Sequence, residues 1–256
     1  MQRPSDETNR STGNGNPPEE GGPSRSRIRR ALSWIGAHEP QVLAALLLIA
    51  GAVWSFAELA DDVLEGETAD FDERVLLSLR TADDPTDPLG PGWFEEMARD
   101  ITGLGGFGVL ALLTLAAAGY LMLLRKGHTA LYLVLAIGSG ILMSTLLKNL
   151  YDRPRPDLVP HAQVVYTSSF PSGHSMMSAV VFLTLGAILA GVQANLRLRA
   201  YLLGVAALLA LLVGASRVYL GVHWPTDVFA GWTAGAAWAL LCWTIAERLR
   251  RRGSVE

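Results

Sequence analysis

Residues 201–227 read YLLGVAALLALLVGASRVYLGVHWPTD, an unbroken apolar run that ends in an arginine, a histidine and an aspartate. Such a run has no polar face to turn toward water, so it predicts a helix that crosses a bilayer rather than one lying on a soluble core. The polar residues follow at once, at the mouth of the span. Ionisable groups are costly there, which marks Arg217, His223 and Asp227 as candidates for function. Arg217 offers a planar fork matched to phosphate oxygens, and His223 can act as nucleophile or proton carrier near neutral pH. Asp227 lies four residues after His223. If Pro225 opens the next helix, the carboxylate falls within a turn of the imidazole and can orient it. The bland alternative is an arginine snorkelling to headgroups, a backbone-bonded histidine and a capping aspartate.

The same kind of run recurs at about 42–59, 104–124, 130–147, 174–190 and 227–246, which makes six spans with the one at 201–215. The chain has 256 residues, half of them hydrophobic, and a single cysteine, Cys242, so no intrachain disulfide and no cysteine-based metal site can form. The expected fold class is all-α: a polytopic six-transmembrane-helix bundle over residues 31–252. Residues 1–30 form a tail rich in Ser, Gly, Pro and Arg, without the apolar residues needed to order it, and are expected to be disordered.

Charge is segregated along the chain. Arg25, Arg27, Arg29 and Arg30, then Arg125 with Lys126, Arg197 with Arg199, and Arg248 with Arg250 to Arg252 all fall on one side of a six-span chain. By the positive-inside tendency that side is cytoplasmic, and both termini lie on it. Juxtamembrane arginines fit a bilayer surface better than nucleic acid, so no nucleic-acid partner is expected. The excess of Ala, Leu, Gly and Arg over Lys suits a GC-rich bacterium, hence a bacterial plasma membrane. On the outer side an acidic loop runs from Asp61 to Asp87, with a short amphipathic helix expected around Val75–Leu79 and another near Phe94. Its function is not written in its residues. Lys148, Arg153, Arg155 and Arg217 also fall on the outer side with few acidic neighbours in sequence, the pattern of cations with a ligand to satisfy. Gly138, Gly140, Gly231 and Gly235 are expected to let helices approach closely, and Trp54, Trp224 and Trp243 to be interfacial-belt or lipid-facing residues.

Two further polar clusters share the outer mouth. KNLYDRPRP, residues 148–156, sets Lys148 and Arg155 seven apart, with Pro154 and Pro156 stopping the helix. PSGHS, residues 171–175, opens the fourth span, where unsatisfied N–H groups make a potential anion site and His174 stands in the first turn. Asp152, Asp157 and His161 read as ordinary loop residues.

Together these clusters resemble the type 2 phosphatidic acid phosphatase superfamily of membrane lipid phosphatases, whose pattern is K-x6-R-P, then P-S-G-H, then S-R-x5-H-x3-D. Every defined position is matched: Lys148, Arg155 and Pro156; Pro171, Ser172, Gly173 and His174; Ser216, Arg217, His223 and Asp227. The resemblance implies that His223 attacks phosphorus to form a phosphohistidine, that Asp227 orients it, and that His174 is the acid and then the base. It implies that Lys148, Arg155, Ser172, Gly173 and Arg217 hold the phosphate, with neither metal nor other cofactor. The expected substrate is a lipid phosphate or pyrophosphate at the outer leaflet, of the undecaprenyl pyrophosphate, phosphatidylglycerol phosphate or phosphatidate type. A non-catalytic lipid-phosphate binder or transporter is the alternative, but it would not need His174, His223 and Asp227 together. Vanadate-dependent haloperoxidases share similar motifs but are soluble. Oligomeric state is not legible.

Overall fold

A computed structural model describes residues 40–156 and 168–253, and every regular element within them is helical. The tail expected to be disordered, and the loop residues Asp157 and His161, lie outside the described residues. Among the described residues eight helices follow in chain order: α1 Pro40–Glu65, α2 Ala69–Leu77, α3 Gly92–Leu104, α4 Phe107–Leu123, α5 Gly127–Leu150, α6 Gly173–Gly191, α7 Leu196–Tyr219 and α8 Pro225–Gly253. Helices α1, α5, α6, α7 and α8 are each long and apolar enough to cross a membrane. Helices α3 and α4 pass the same test as a pair bent by 50°, and counted as one span they bring the number to the expected six.

That bend is the main departure from the expected spans. The run at 104–124 is divided at Gly105 and Gly106, and α3, which holds Phe94, forms its first arm. Gly105 is needed there. A β-carbon would drive into the Val213 side chain and come within 3.5 Å of the His174 ring. The amphipathic helix of the acidic loop is α2, which begins earlier than expected and ends at Leu77.

Helix α6 is the most buried of the spans, and Met176, Val180, Val181 and Thr184 on it are almost inaccessible. It packs chiefly on α7 and α8. Small residues set these contacts, as helix association in lipid leads one to expect. A side chain at Gly231 would meet the Ser172 carbonyl, and one at Gly186 the Ala206 methyl. Gly140 similarly faces Val180 and Trp238. Gly138 does not fit the packing expectation: nothing lies within 4 Å of a β-carbon built there, and it lines an open groove instead. Trp232 and Trp238 donate their indole N–H groups to the carbonyls of Ala210 and Ala136, at 2.9 and 3.2 Å, so each joins two helices. Leu47, Leu112, Leu123 and Leu196 leave large exposed apolar faces, which are natural only against lipid.

The antiparallel course of α5 to α8 gathers four helix ends at one mouth. The C-termini of α5 and α7 meet the N-termini of α6 and α8 there, and these ends carry the three polar clusters. Helix α2 closes over this mouth through Leu76, which is fully buried with Val218 and Val228.

Candidate active site

The turn between α7 and α8 delivers His223. Val222 N–H donates to the Arg217 carbonyl at 3.1 Å, and Gly221 takes a φ of 72°, a left-handed geometry that a side chain would strain. The chain therefore folds back, and His223 lands close to the last turn of α7 with only 1% of its surface exposed. Asp227, in the first turn of α8, accepts from the backbone N–H of Trp224 at 3.0 Å through Oδ2. This is the reach of an N3 acid back to its cap residue, so the local helix start fixes the carboxylate. The same Oδ2 lies 3.3 Å from His223 Nδ1.

The tautomer follows from the other ring nitrogen. Arg155 Nη1 stands 3.2 Å from His223 Nε2, and a guanidinium can only donate. Nε2 is thus the lone pair and Nδ1 carries the proton toward Asp227. Burial lowers the pKa of His223 to about 4, Asp227 opposes that shift, and Arg155 and Arg217 reinforce it. At neutral pH the imidazole is an unprotonated base beside a cation.

Arg155 is held over the turn by a hydrogen bond from Nη1 to the Val222 carbonyl at 2.9 Å. Lys148, in the last turn of α5, donates to the Ser168 carbonyl at 2.8 Å, and its Cε would be 3.2 Å from a β-carbon at Gly173. Glycine at 173 therefore admits the lysine to the start of α6. Arg217 is 4% exposed, bonds Thr102 Oγ1 at 3.2 Å, and leaves its buried Nε without a partner among the described residues. No carboxylate within 4.0 Å pairs with Lys148 or Arg217 among the described residues, although buried cations ordinarily require one. Both lie within Coulombic range of Arg155. Such a cluster of cations suits an anion.

Ser172 caps α6, its Oγ accepting from Ser175 N and Ser175 Oγ at 3.4 and 2.9 Å. Its own N–H donates to the Asp227 carbonyl at 2.9 Å, which locks the start of α6 to the first turn of α8. The N–H groups of Gly173 and His174 lie in the first turn, where a helix supplies no acceptor. His174 lies within Coulombic range of Arg217, His223, Arg155 and Lys148. All eight residues expected at the site thus converge on one mouth.

Arg153 departs from its expected role as a cation awaiting a ligand. It pairs with two protein carboxylates, Asp72 and Asp227, at 2.7 Å each, and leaving either of two such buried partners alone costs about 3–5 kcal/mol. Trp224 likewise belongs to the site's frame rather than to the lipid belt, since its indole donates to the Pro154 carbonyl at 3.2 Å and its ring lies under the Arg153 guanidinium. Asp72 was hidden among the carboxylates of the acidic loop. Its signal in the sequence is slight: Leu76 one turn later puts an apolar residue on the same helical face.

Beside the charged mouth lies a cavity of about 440 Å³, walled by Phe107, Leu110, Ile137, Ile141 and Met177 and reaching Gly173 and His174. Its walls come from α4, α5 and α6 and are mostly apolar, so a chain held there would bring a polar head toward the cations.

Residues 129–251 match the model of the PAP2 superfamily. The chain is 35% identical over 162 residues to phosphatidylglycerophosphatase B of Bacillus subtilis, covering 62% of this chain and 78% of that protein. It is 30% identical over 192 residues to a lipid A 1-phosphatase of Rhizobium etli, covering 65% and 78%. The crystal structure of a transmembrane PAP2-type phosphatidylglycerolphosphate phosphatase from Bacillus subtilis superposes with a TM-score of 0.69 at 29% identity, covering 78% of this chain and 96% of that one.

Proposed function

The chain belongs to the PAP2 superfamily of membrane phosphatases, and on that premise we propose that it hydrolyses a lipid phosphate or pyrophosphate through a phosphohistidine on His223, at the extracytoplasmic face. The observation that carries this reading is the setting of His223, with Nε2 3.2 Å from the Arg155 guanidinium and Nδ1 3.3 Å from the Asp227 carboxylate. In the first step the Nε2 lone pair attacks phosphorus, the bond from phosphorus to the lipid oxygen breaks, and His174 supplies the proton that the leaving oxygen needs. In the second step His174 takes a proton from water, whose oxygen attacks phosphorus, and the P–N bond breaks to regenerate His223. Arg155, Arg217, Lys148, the Ser172 hydroxyl and the first N–H groups of α6 hold the equatorial oxygens while charge moves between the two axial groups.

The apolar groove ending at His174 supports a lipid substrate with an acyl or prenyl chain. The relatives act on phosphatidylglycerophosphate and on lipid A 1-phosphate by name, so candidates here are phosphatidylglycerol phosphate, phosphatidate and undecaprenyl pyrophosphate. The test is phosphate release by purified protein from that panel, with and without excess chelator. Because three cations and a helix terminus meet the developing charge, activity is expected to survive chelation. A complete loss that magnesium restores would overturn that division of labour, and no release from any lipid would overturn the function.

The proposed face is tested separately. Ala82, exposed between α2 and α3, lies on the side of the site, whereas Ala194, exposed between α6 and α7, lies at the far end of α6. In a Cys242→Ala background, an impermeant maleimide added to intact cells should label Ala82→Cys and spare Ala194→Cys. The reverse pattern would put the site in the cytoplasm.

A further inference from the structure

The carboxylates of the acidic loop are mostly exposed, yet Asp72 is only 1% exposed. A carboxylate is buried at high cost unless its oxygens are fully engaged. Those of Asp72 are. Oδ1 accepts from the Thr226 backbone N–H at 3.0 Å, and Oδ2 accepts from Thr226 Oγ1 at 2.6 Å and from Arg153 Nη2 at 2.7 Å. The first of these bonds satisfies a donor in the opening turn of α8 that the helix itself leaves without a partner. Helix α2 therefore caps α8 from outside, one residue before Asp227.

Arg153 carries the connection onward. Its Nη2 also reaches Thr68 Oγ1 at 3.3 Å, while Nη1 donates to Thr226 Oγ1 at 2.8 Å and to Asp227 Oδ1 at 2.7 Å. The two oxygens of Asp227 thus engage different partners, Oδ1 Arg153 and Oδ2 both His223 and Trp224. A carboxylate with only one oxygen engaged could rotate about its last bond. With Arg153 on Oδ1, Oδ2 is fixed against the imidazole. Arg153 is planar and forked, so it can bridge two carboxylates in a way that lysine cannot. It is held in turn by Asp72 and by backbone straps to the start of the PSGH segment: Ser169 N–H donates to the Arg153 carbonyl at 3.0 Å, and Ser168 Oγ accepts from Arg153 N–H at 3.3 Å.

We infer that Asp72 and Arg153 are positioning residues for the nucleophile, holding the Asp227 carboxylate so that His223 keeps its proton on Nδ1 and its lone pair on Nε2. The inference rests on the proposed role of His223. It also explains the acidic loop, because α2 brings in the carboxylate that completes the support of the catalytic turn. Neither residue belongs to the group of cations proposed to hold the phosphate, so their loss should lower the rate without weakening substrate binding.

The test uses the full-length protein in detergent. Asp72→Asn keeps the shape and one acceptor oxygen but gives up the charge that anchors Arg153. It should lower kcat by about 10- to 100-fold, the scale on which outer-shell partners act, with KM changed less than about 2-fold. Arg153→Lys should fall in the same range. In an Asp227→Asn background, adding Asp72→Asn should change kcat by less than about 2-fold, because a residue that acts through Asp227 has nothing left to act on. Equal losses in both backgrounds would show a general structural effect and overturn the inference. An independent readout is the ¹⁵N spectrum of the ring nitrogens, with His223→Ala identifying the His223 signals among the five histidines. Wild type should show one tautomer, protonated on Nδ1, and Asp72→Asn should show a mixture. An unchanged single tautomer in Asp72→Asn would overturn the inference even if kcat fell. This spectrum decides the matter whether or not the wild type forms a phosphoenzyme, so failure of the proposed function and failure of this inference remain distinguishable.

Discussion

His223→Ala is expected to reduce turnover of every lipid phosphate by at least about 10⁴-fold and to leave no phosphoenzyme, in line with the cost of deleting a nucleophile from a catalytic unit. The expectation rests on how completely the site is built around this ring. His223 is only 1% exposed, its pKa is held near 4 by burial, and each ring nitrogen has a charged partner. Protonation below that pKa would remove the lone pair, so on the acid side the rate should fall only as pH approaches about 4. Nothing else at the mouth can replace it. Lys148 and the two arginines are cations, proposed to hold the phosphate, and His174 stands on another helix at the proposed leaving-group side. The measurement is acid-labile, base-stable radioactivity on the protein during turnover of a ³²P-labelled substrate. Label that persists in His223→Ala would assign the covalent step to a different residue.

Much of this site is legible in the sequence because its residues lie at helix ends, where local rules are strong. Pro225 at the first position of α8 sets Asp227 one turn from His223, and Ser172 before Gly173 gives a helix cap and free N–H groups with no knowledge of the fold. The six apolar runs give the spans for the same reason, since lipid imposes a length and a composition on each. What stays hidden is whatever depends on contacts between distant segments. Asp72 is one carboxylate among many, and only the packing of Leu76 against Val218 and Val228 turns it inward. Arg153 reads like its neighbour Arg155, two residues away, yet one meets protein carboxylates and the other meets the His223 ring. Nothing in the run RPRP says which of the two arginines faces which neighbour. The bend at Gly105–Gly106 is of the same kind. Two glycines inside an apolar run are compatible with a straight span, and it is the closeness of Val213 and His174 that requires a residue with no side chain there.

The second large effect is expected from His174, and it should differ in kind from the first. His174→Ala removes a proton donor but leaves Nε2 of His223, Asp227 and the cations in place, so the first step remains possible whenever the leaving oxygen can depart as an anion. A lipid alkoxide cannot, and its turnover should fall by about 10²- to 10⁴-fold, the range that general acid catalysis supplies. p-Nitrophenolate leaves readily without a proton, so p-nitrophenyl phosphate should lose far less in phosphoenzyme formation. A pyrophosphate substrate should fall between them, since its leaving phosphate is far less basic than an alkoxide. The second step needs a base for water whatever the first leaving group was, and His174 is the group proposed to supply it. With p-nitrophenyl phosphate the variant should therefore release a burst of nitrophenol, one per protein, and then turn over slowly while labelled phosphohistidine accumulates. With a lipid phosphate no such burst should appear, because the first step is itself blocked. Equal losses for all three leaving groups, or no accumulation of phosphoenzyme with the good one, would show that His174 supports the phosphate's binding and does not move the proton.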